Sequence, residues 1–102
     1  MLQFRTNCEC CNKDLPPDAT DARICSYECT YCEKCVEEVL SNVCPTCGGG
    51  FERRPIRPST AVRPGLSLVH QPASTERVPW RYSREEVAAV SSAVKDIPPH
   101  QR

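Results

Sequence analysis

The apolar residues that follow Cys35 recur with the spacing of a helix. They stand at i, i+3, i+4 and i+7, and they are Val36, Val39, Leu40 and Val43. Glu37 and Glu38 fall on the opposite side of that helix, and Asn42 is a stop signal near its end. The pattern therefore predicts a short amphipathic helix within the run CVEEVLSNV.

Three other stretches of the first half of the chain have the pattern of strands. The run ARICSYECTY predicts a β-hairpin. Apolar and polar residues alternate in LQFR before the first cysteine and in GFERR after the last, which predicts two short strands that pair with each other. In that pairing Phe4 and Phe51 face the interior, and Pro55 ends the second strand because proline cannot donate to a ladder.

The composition changes near Arg54. Residues 55–82 contain five prolines with scattered Ser, Thr and Arg, which predicts a flexible, mostly disordered linker after an ordered domain over residues 1–54. The run RRPIRP at the boundary is either a solvated linker or a basic strip that folds against the head or touches nucleic acid.

A second helix is predicted over residues 83–97. Ser83 and Glu86 form a capping box, Pro98 stops the run, and three valines make a narrow apolar stripe, namely Val87, Val90 and Val94. A helix of this length is marginal alone, so it either docks on the head or folds on a partner. Trp80 and Tyr82 just before it would fix the helix in place or anchor a partner.

All nine cysteines lie between Cys8 and Cys47. This density is typical of a secreted disulfide framework or of zinc sites. The N-terminal run MLQFRTNCE has no apolar signal region, and no stretch approaches the length of a membrane span. An odd number fits disulfides poorly, whereas CxxC pairs favour metal. We expect a cytoplasmic protein with two Zn²⁺ ions and no membrane contact, disulfides being the alternative.

Eight cysteines form four pairs, which is enough for two tetrahedral sites. Cys35 and Cys44 lie at opposite ends of the predicted helix, roughly 10 Å apart, whereas two sulfurs on one zinc are about 4 Å apart. These two residues should therefore serve different ions. An interleaved cross-brace follows, with the first ion on Cys8, Cys11, Cys32 and Cys35 and the second on Cys25, Cys29, Cys44 and Cys47. A sequential pairing is the alternative.

Cys10 is left over within the first pair. It is either an inert small residue or a redox-sensitive thiol whose oxidation releases metal. Asn12 and Gly48, which follow the first and last pairs, suit the left-handed backbone that such knuckles need.

The hydrophobic core of the predicted head is small. Its candidates are Leu2, Phe4, Leu15, Ile24, Tyr27, Tyr31, Val36, Val39, Leu40, Val43 and Phe51. At about 2 kcal/mol each, their burial falls short of the entropy lost on ordering the head, at about 1.5 kcal/mol per residue. We therefore predict that metal holds the domain together and that the metal-free head is unfolded.

Charge is distributed unevenly along the chain. Residues 1–50 carry four Lys or Arg against eight Asp or Glu, and the remainder carries nine against five. Because an acidic head repels phosphate, nucleic acid would be bound only through the basic tail.

The eight ligands and the CPTC final pair resemble the RING finger cross-brace, with Cys29 where that family usually has His. The first site also has the order of a treble clef, which is a knuckle, a hairpin and two ligands at a helix start. Gly48 replaces the Arg or Lys that contacts ubiquitin in many RING ligases. Glu9 and Cys10 replace the exposed aliphatic residue that usually meets the conjugating enzyme. The resemblance implies two structural zinc ions more strongly than ligase activity.

A resemblance over about residues 1–78 covers more of the chain. The run NCECCNKDLPPDATDARICSYECTYCEKCVEEVLSNVCPTCGGGFERRPIRP, together with HQPASTERV, is similar to a short Cys-rich bacterial family, domain of unknown function 1272. The resemblance implies a bacterial cytosolic zinc protein and supplies no activity.

The sequence therefore predicts a small zinc-stabilised α+β domain that acts as an adaptor for another protein. Catalysis is not expected, because four thiolates leave zinc no open position and both histidines lie in the tail. The alternatives are a RING-type ligase module, a nucleic-acid-associated zinc protein and a redox-sensitive zinc switch.

Overall fold

The structure is a computed structural model that describes all 102 residues. It contains three short strands and two helices, and a 3₁₀ turn closes the chain. In order, these are β1 (Ala22–Ile24), β2 (Thr30–Cys32), α1 (Glu33–Glu38), β3 (Glu52–Arg53), α2 (Arg84–Val94) and the turn Pro99–Gln101. The predicted α+β class is confirmed. No helix has both the length and the apolar character that crossing a bilayer requires.

The sheet is antiparallel and has the strand order β2-β1-β3. The predicted hairpin is present, with Arg23 opposite Tyr31. The predicted pairing of LQFR with GFERR is wrong, because β3 pairs with β1 through Arg23 and Arg53. Backbone groups of the N-terminal segment are used elsewhere, since the Phe4 carbonyl accepts from the Ser74 N–H at 2.8 Å. Phe4 and Phe51 are both buried, as predicted.

Helix α1 is shorter than its apolar pattern predicts. It starts directly after β2 and ends at Glu38, with Val39 as the C-cap residue. Ser41 and Asn42 have φ values of 52° and 56°, and this left-handed backbone cannot continue a right-handed helix. Leu40 and Val43 are nevertheless buried, because the tight turn directs them back into the core.

The core surrounds the cysteines. Among the predicted core residues, those that are buried are Phe4, Leu15, Tyr31, Val36, Leu40, Val43 and Phe51. Leu2 and Ile24 are partly buried. Two assignments are wrong: Tyr27 lies in the hairpin turn and is 72% exposed, and Val39 at the helix end is also exposed.

Arg54 is the largest fully buried side chain. Its guanidinium donates to the backbone carbonyls of Arg5 at 2.6 Å, Leu15 at 3.2 Å and Pro16 at 2.8 Å. The group also lies over the Phe4 ring, 4.9 Å from its centroid. It thereby joins the end of β3 to the N-terminal segment.

The segment predicted to be a disordered linker has no helix or strand, yet it lies against the head at several points. Arg57 donates to the carbonyls of Leu2 and Gln71, at 2.8 and 2.7 Å. Its guanidinium also covers Phe4, at 4.4 Å from the ring centroid. Disorder of the tail is therefore not confirmed, because the basic strip folds against backbone carbonyls and an aromatic ring of the head.

Helix α2 docks on the head. Ser83 caps it by accepting from the Glu86 N–H at 3.1 Å, and Val87 joins the core cluster. Tyr82 bonds to the Thr46 hydroxyl at 2.5 Å, which fixes the start of the helix. At the chain end, Arg102 donates to the carbonyl of Asn42, in the turn that follows α1, and to the carbonyl of Gly48.

Candidate metal centres

The first group of thiols comes from three elements. Cys8 and Cys11 flank the first knuckle, Cys32 ends β2, and Cys35 lies in the first turn of α1. The four sulfurs all lie within 4.8 Å of one another, and Cys11 Sγ is 3.8 Å from Cys32 Sγ. Tetrahedral zinc with Zn–S bonds near 2.3 Å needs sulfurs roughly 3.8 Å apart, so this donor set fits a thiolate-bound metal.

The second group of thiols contains Cys25, Cys44 and Cys47, with mutual distances also within 4.8 Å. Cys29 falls outside that distance group. It is nevertheless buried, and its backbone carbonyl accepts from the Cys25 N–H at 3.2 Å. Three of the four expected ligands therefore form a compact set, and the fourth lies beside it.

Two similar knuckles carry the first and the last of the four cysteine pairs. In the first, the Cys8 N–H donates to the Lys13 carbonyl at 2.8 Å, and Asn12 has φ 64°. In the second, the Cys44 N–H donates to the Gly49 carbonyl at 2.8 Å, and Gly48 has φ 77°. The prediction that Asn12 and Gly48 adopt left-handed backbone is confirmed.

Backbone N–H groups also point at sulfurs of the second group. The Tyr27 N–H donates to Cys25 Sγ at 3.3 Å, and the Gly49 N–H donates to Cys47 Sγ at 3.4 Å. Such donors stabilise negative charge on sulfur.

The protonation of the thiols reflects their crowding. Burial raises the pKa of Cys8 to about 11, and it raises the pKa of Cys35 as well. In the second group, the hydrogen bond shared with Cys29 raises the pKa of Cys25 to about 11, whereas contacts with Cys25 and Cys44 lower the pKa of Cys29. Without a metal, each group therefore keeps protons that neutralise part of its charge. A bound cation would displace them.

Cys10 belongs to neither group. It is partly buried and packs against the core cluster. Burial raises its pKa, which a hydrogen bond to Cys35 partly opposes. It remains the surplus thiol that its position inside the first knuckle predicts.

Cys35 and Cys44 fall into different groups, as predicted, although the helix that the distance argument assumed between them ends at Glu38. The thiols of the first and third cysteine pairs lie together, as in the interleaved arrangement. The sequential alternative would instead group the first pair with the second. After α1 ends, Ser41 and Asn42 have left-handed backbone, and the chain continues to β3, which pairs with β1.

Several polar residues that hold the first knuckle in place carry no clear signal in the sequence. The buried Glu9 carboxylate accepts from the Thr30 N–H at 2.5 Å and from Arg5 at 2.9 Å, which ties the knuckle to β2. Asn7 is fully buried, and its side chain bonds to the backbone of Val78. A hydrophobicity pattern treats both as ordinary surface residues.

These features define a small Cys-clustered α+β protein with two candidate metal centres. The chain belongs to the family described as "Protein of unknown function (DUF1272)", whose model matches residues 1–57. An uncharacterized protein of Rhizobium meliloti (strain 1021) is 51% identical over 78 residues, which are 76% of this chain and 86% of that protein. No solved structure matches the chain. The predicted family is confirmed, and because the alignment is longer than residues 1–57, the similarity extends into the tail.

Proposed function

We propose that this protein binds two zinc ions in an interleaved, RING-like cross-brace of the treble-clef type and acts as an adaptor for another protein. The observation that carries the proposal is the presence of two separate thiol groups, each drawn from alternating cysteine pairs. The first ion is assigned to Cys8, Cys11, Cys32 and Cys35. The second is assigned to Cys25, Cys29, Cys44 and Cys47.

The donor set favours zinc and a structural role. Sulfur-only tetrahedral sites select Zn²⁺ or iron–sulfur chemistry among the common metals. Four thiolates fill the coordination shell and leave no position for substrate or water. Each ion would join distant parts of a domain whose strands have only two or three residues.

The first knuckle differs from the surface that the RING resemblance associates with a conjugating enzyme. Glu9 is only 3% exposed, and its carboxylate is used inside the domain. Residues 77–80 lie beside Glu9 and Cys10. The burial of Glu9 favours an adaptor over a ligase module.

The contacts of the tail also weigh against nucleic-acid binding as its main role. The Arg57 guanidinium donates to the Leu2 carbonyl of the head and to the Gln71 carbonyl of the tail, and Arg77 pairs with Asp14. A phosphate group could bind these arginines only after the hydrogen bonds and the ion pair had been broken.

Metal content and metal removal test the zinc proposal. We expect two equivalents of zinc in reduced, purified protein. Exhaustive chelation should abolish circular dichroism and the dispersion of proton NMR signals, because a structural zinc contributes on the order of 10 kcal/mol to folding. Unchanged spectra after complete chelation would contradict a metal-held fold.

Two serine substitutions in the first knuckle form a matched pair. Cys11→Ser removes a proposed ligand and should weaken or abolish one of the two sites. Cys10→Ser removes the neighbouring surplus thiol and should leave both. Titration with Co²⁺, whose absorption reports thiolate ligation, measures each site. Equal loss of metal from the two variants would show that the ligand assignment is wrong.

A further inference from the structure

Residues 74–82, which we call the strap, cross the face of the head formed by the N-terminal segment and the first knuckle. The strap has no helix or strand of its own. At its start, the Ser74 N–H donates to the Phe4 carbonyl at 2.8 Å, and the Ser74 carbonyl accepts from the Thr6 hydroxyl at 3.3 Å. These two bonds tie the start of the strap to the N-terminal segment.

The side chain of Asn7 binds the backbone of the strap. Its Oδ1 accepts from the Val78 N–H, and its Nδ2 donates to the Val78 carbonyl, both at 2.9 Å. A side-chain amide offers the same donor and acceptor as a peptide group. Asn7 therefore binds an extended peptide without regard to the side chain at that position.

Two side chains of the strap supply selectivity. Arg77 makes three bonds to the knuckle: to Asp14 Oδ1 at 2.6 Å, to the Asn12 carbonyl at 2.6 Å and to Asn12 Oδ1 at 3.0 Å. Three residues later, Trp80 meets Tyr31 edge to face, with ring centroids 6.3 Å apart. The face thus matches an arginine followed, three residues on, by an aromatic ring.

The strap fills its site incompletely. A cavity of about 350 Å³ lies between the knuckle and residues 77–80, and a groove of about 500 Å³ lies on the α2 side of Trp80. Trp80 is 37% exposed, and the side chain of Arg77 is 45% exposed. A segment held by a few discrete contacts, with space on both sides, is suited to exchange.

We infer that this face is a recognition site for an extended segment of a partner protein. That segment carries an arginine, a backbone free to pair with Asn7 at the next residue, and an aromatic residue three positions after the arginine. The strap occupies the site in cis and yields it to the partner. The inference rests on the proposed adaptor function and deepens it by naming the site and the chemistry of the ligand.

A synthetic peptide tests the site on the full-length, zinc-loaded protein. The peptide is a fluorescein-labelled copy of residues 73–82, titrated by anisotropy into wild type and into the Arg77→Ala/Trp80→Ala variant, whose strap is weakened and whose receptor surface is intact. Wild type should bind the peptide at least about tenfold more weakly than this variant does, because its own strap competes at an effective concentration in the millimolar range.

Peptide variants separate recognition from charge. A peptide with Arg77→Ala should lose at least about tenfold in affinity, since charge-assisted bonds are among the stronger ones. The matched Arg81→Ala peptide should bind as the unmodified peptide does, because Arg81 makes no hydrogen bond or ion pair. Asp14→Asn in the receptor should weaken the unmodified peptide and leave the Arg77→Ala peptide unaffected, which identifies the pair as coupled.

Equal affinity of wild type and the weakened-strap variant, or equal affinity of the Arg77→Ala and Arg81→Ala peptides, would overturn the inference. A dimer that forms at high concentration and disappears in Arg77→Ala would reassign the face to a second copy of the chain. Metal content is measured on every sample. Loss of zinc would count against the metal proposal, whereas failure to bind peptide with two ions present would count against the recognition site alone.

Hydrogen exchange of wild type provides a test that does not depend on a variant folding. The amides of Ser74 and Val78 should exchange faster than those of the β1–β2 hairpin, and excess peptide should accelerate them further while the hairpin stays unchanged. Strap amides that exchange as slowly as the hairpin would show a permanent part of the fold and refute the inference.

Discussion

Replacement of Arg54 by alanine should destabilise the protein by about 3 kcal/mol. The side chain is 1% exposed, and its three hydrogen bonds end on backbone carbonyls. No other donor reaches the carbonyls of Arg5 and Leu15, whereas the Pro16 carbonyl also accepts from the Ala19 N–H at 2.9 Å. The substitution therefore leaves two carbonyls without a partner.

The magnitude follows from these groups. Each stranded buried carbonyl costs about 1–2 kcal/mol, and loss of the guanidinium over the Phe4 ring adds about 1 kcal/mol. Removal of a buried cation recovers part of this free energy, because burial disfavours the charged guanidinium and lowers the pKa of Arg54. Arg54→Lys keeps the charge but cannot reach three carbonyls with one ammonium group, so it should lose about 2 kcal/mol.

Arg53 is the matched control. It is the preceding residue, in strand β3, and its exposed side chain makes no hydrogen bond. Arg53→Ala should therefore change stability by less than about 0.5 kcal/mol. Urea unfolding of the metal-loaded proteins, followed through the fluorescence of Trp80, measures all three variants. If the free energies of unfolding of Arg54→Ala and Arg53→Ala differ by less than about 1 kcal/mol, the buried guanidinium does not stabilise the fold as its contacts suggest.

Substitutions at two further positions test local features of the fold. Ser83→Ala removes the cap of α2 and should lower stability by about 1 kcal/mol, with faster amide exchange in the first turn; Ser92→Ala, on the exposed face of the same helix, should have little effect. Asn42 combines a left-handed backbone with an Oδ1 that accepts from the Phe51 N–H at 3.0 Å. Asn42→Gly, which keeps the backbone freedom, should lose about 1 kcal/mol in urea unfolding, and Asn42→Ala should lose about 1 kcal/mol more; equal losses would exclude strain at this turn.

Local signals in the sequence predicted those elements whose causes are local. The run ARICSYECTY predicted the hairpin, and the cap at Ser83 with its spaced valines predicted α2. The spacing of the cysteines likewise predicted the knuckle backbones at Asn12 and Gly48. Each of these features depends on residues only a few positions apart.

The errors arise where distant contacts decide. A helix pattern that runs to Val43 does not reveal that Ser41 and Asn42 turn left-handed after Glu38. A strand of two residues is too short to specify its partner. Strand β3 pairs with β1, and the next residue, Arg54, is anchored in the core. The run RRPIRP leaves open whether it is a solvated linker or a strip that folds against the head, because no periodicity shows that a guanidinium will meet backbone carbonyls of the head.

The contacts of the tail also explain why an acidic head and a basic tail do not simply attract each other as opposite charges. Two tetrathiolate zinc sites would add roughly four negative charges to the head, yet only Arg77, through Asp14, pairs a tail cation with a head carboxylate. Arg57 and Asn7 bond to backbone groups, whose positions the fold fixes. Salt screens exposed ion pairs and leaves such hydrogen bonds largely intact. Raising the ionic strength should therefore loosen the strap at Arg77 first, while Val78 stays paired with Asn7.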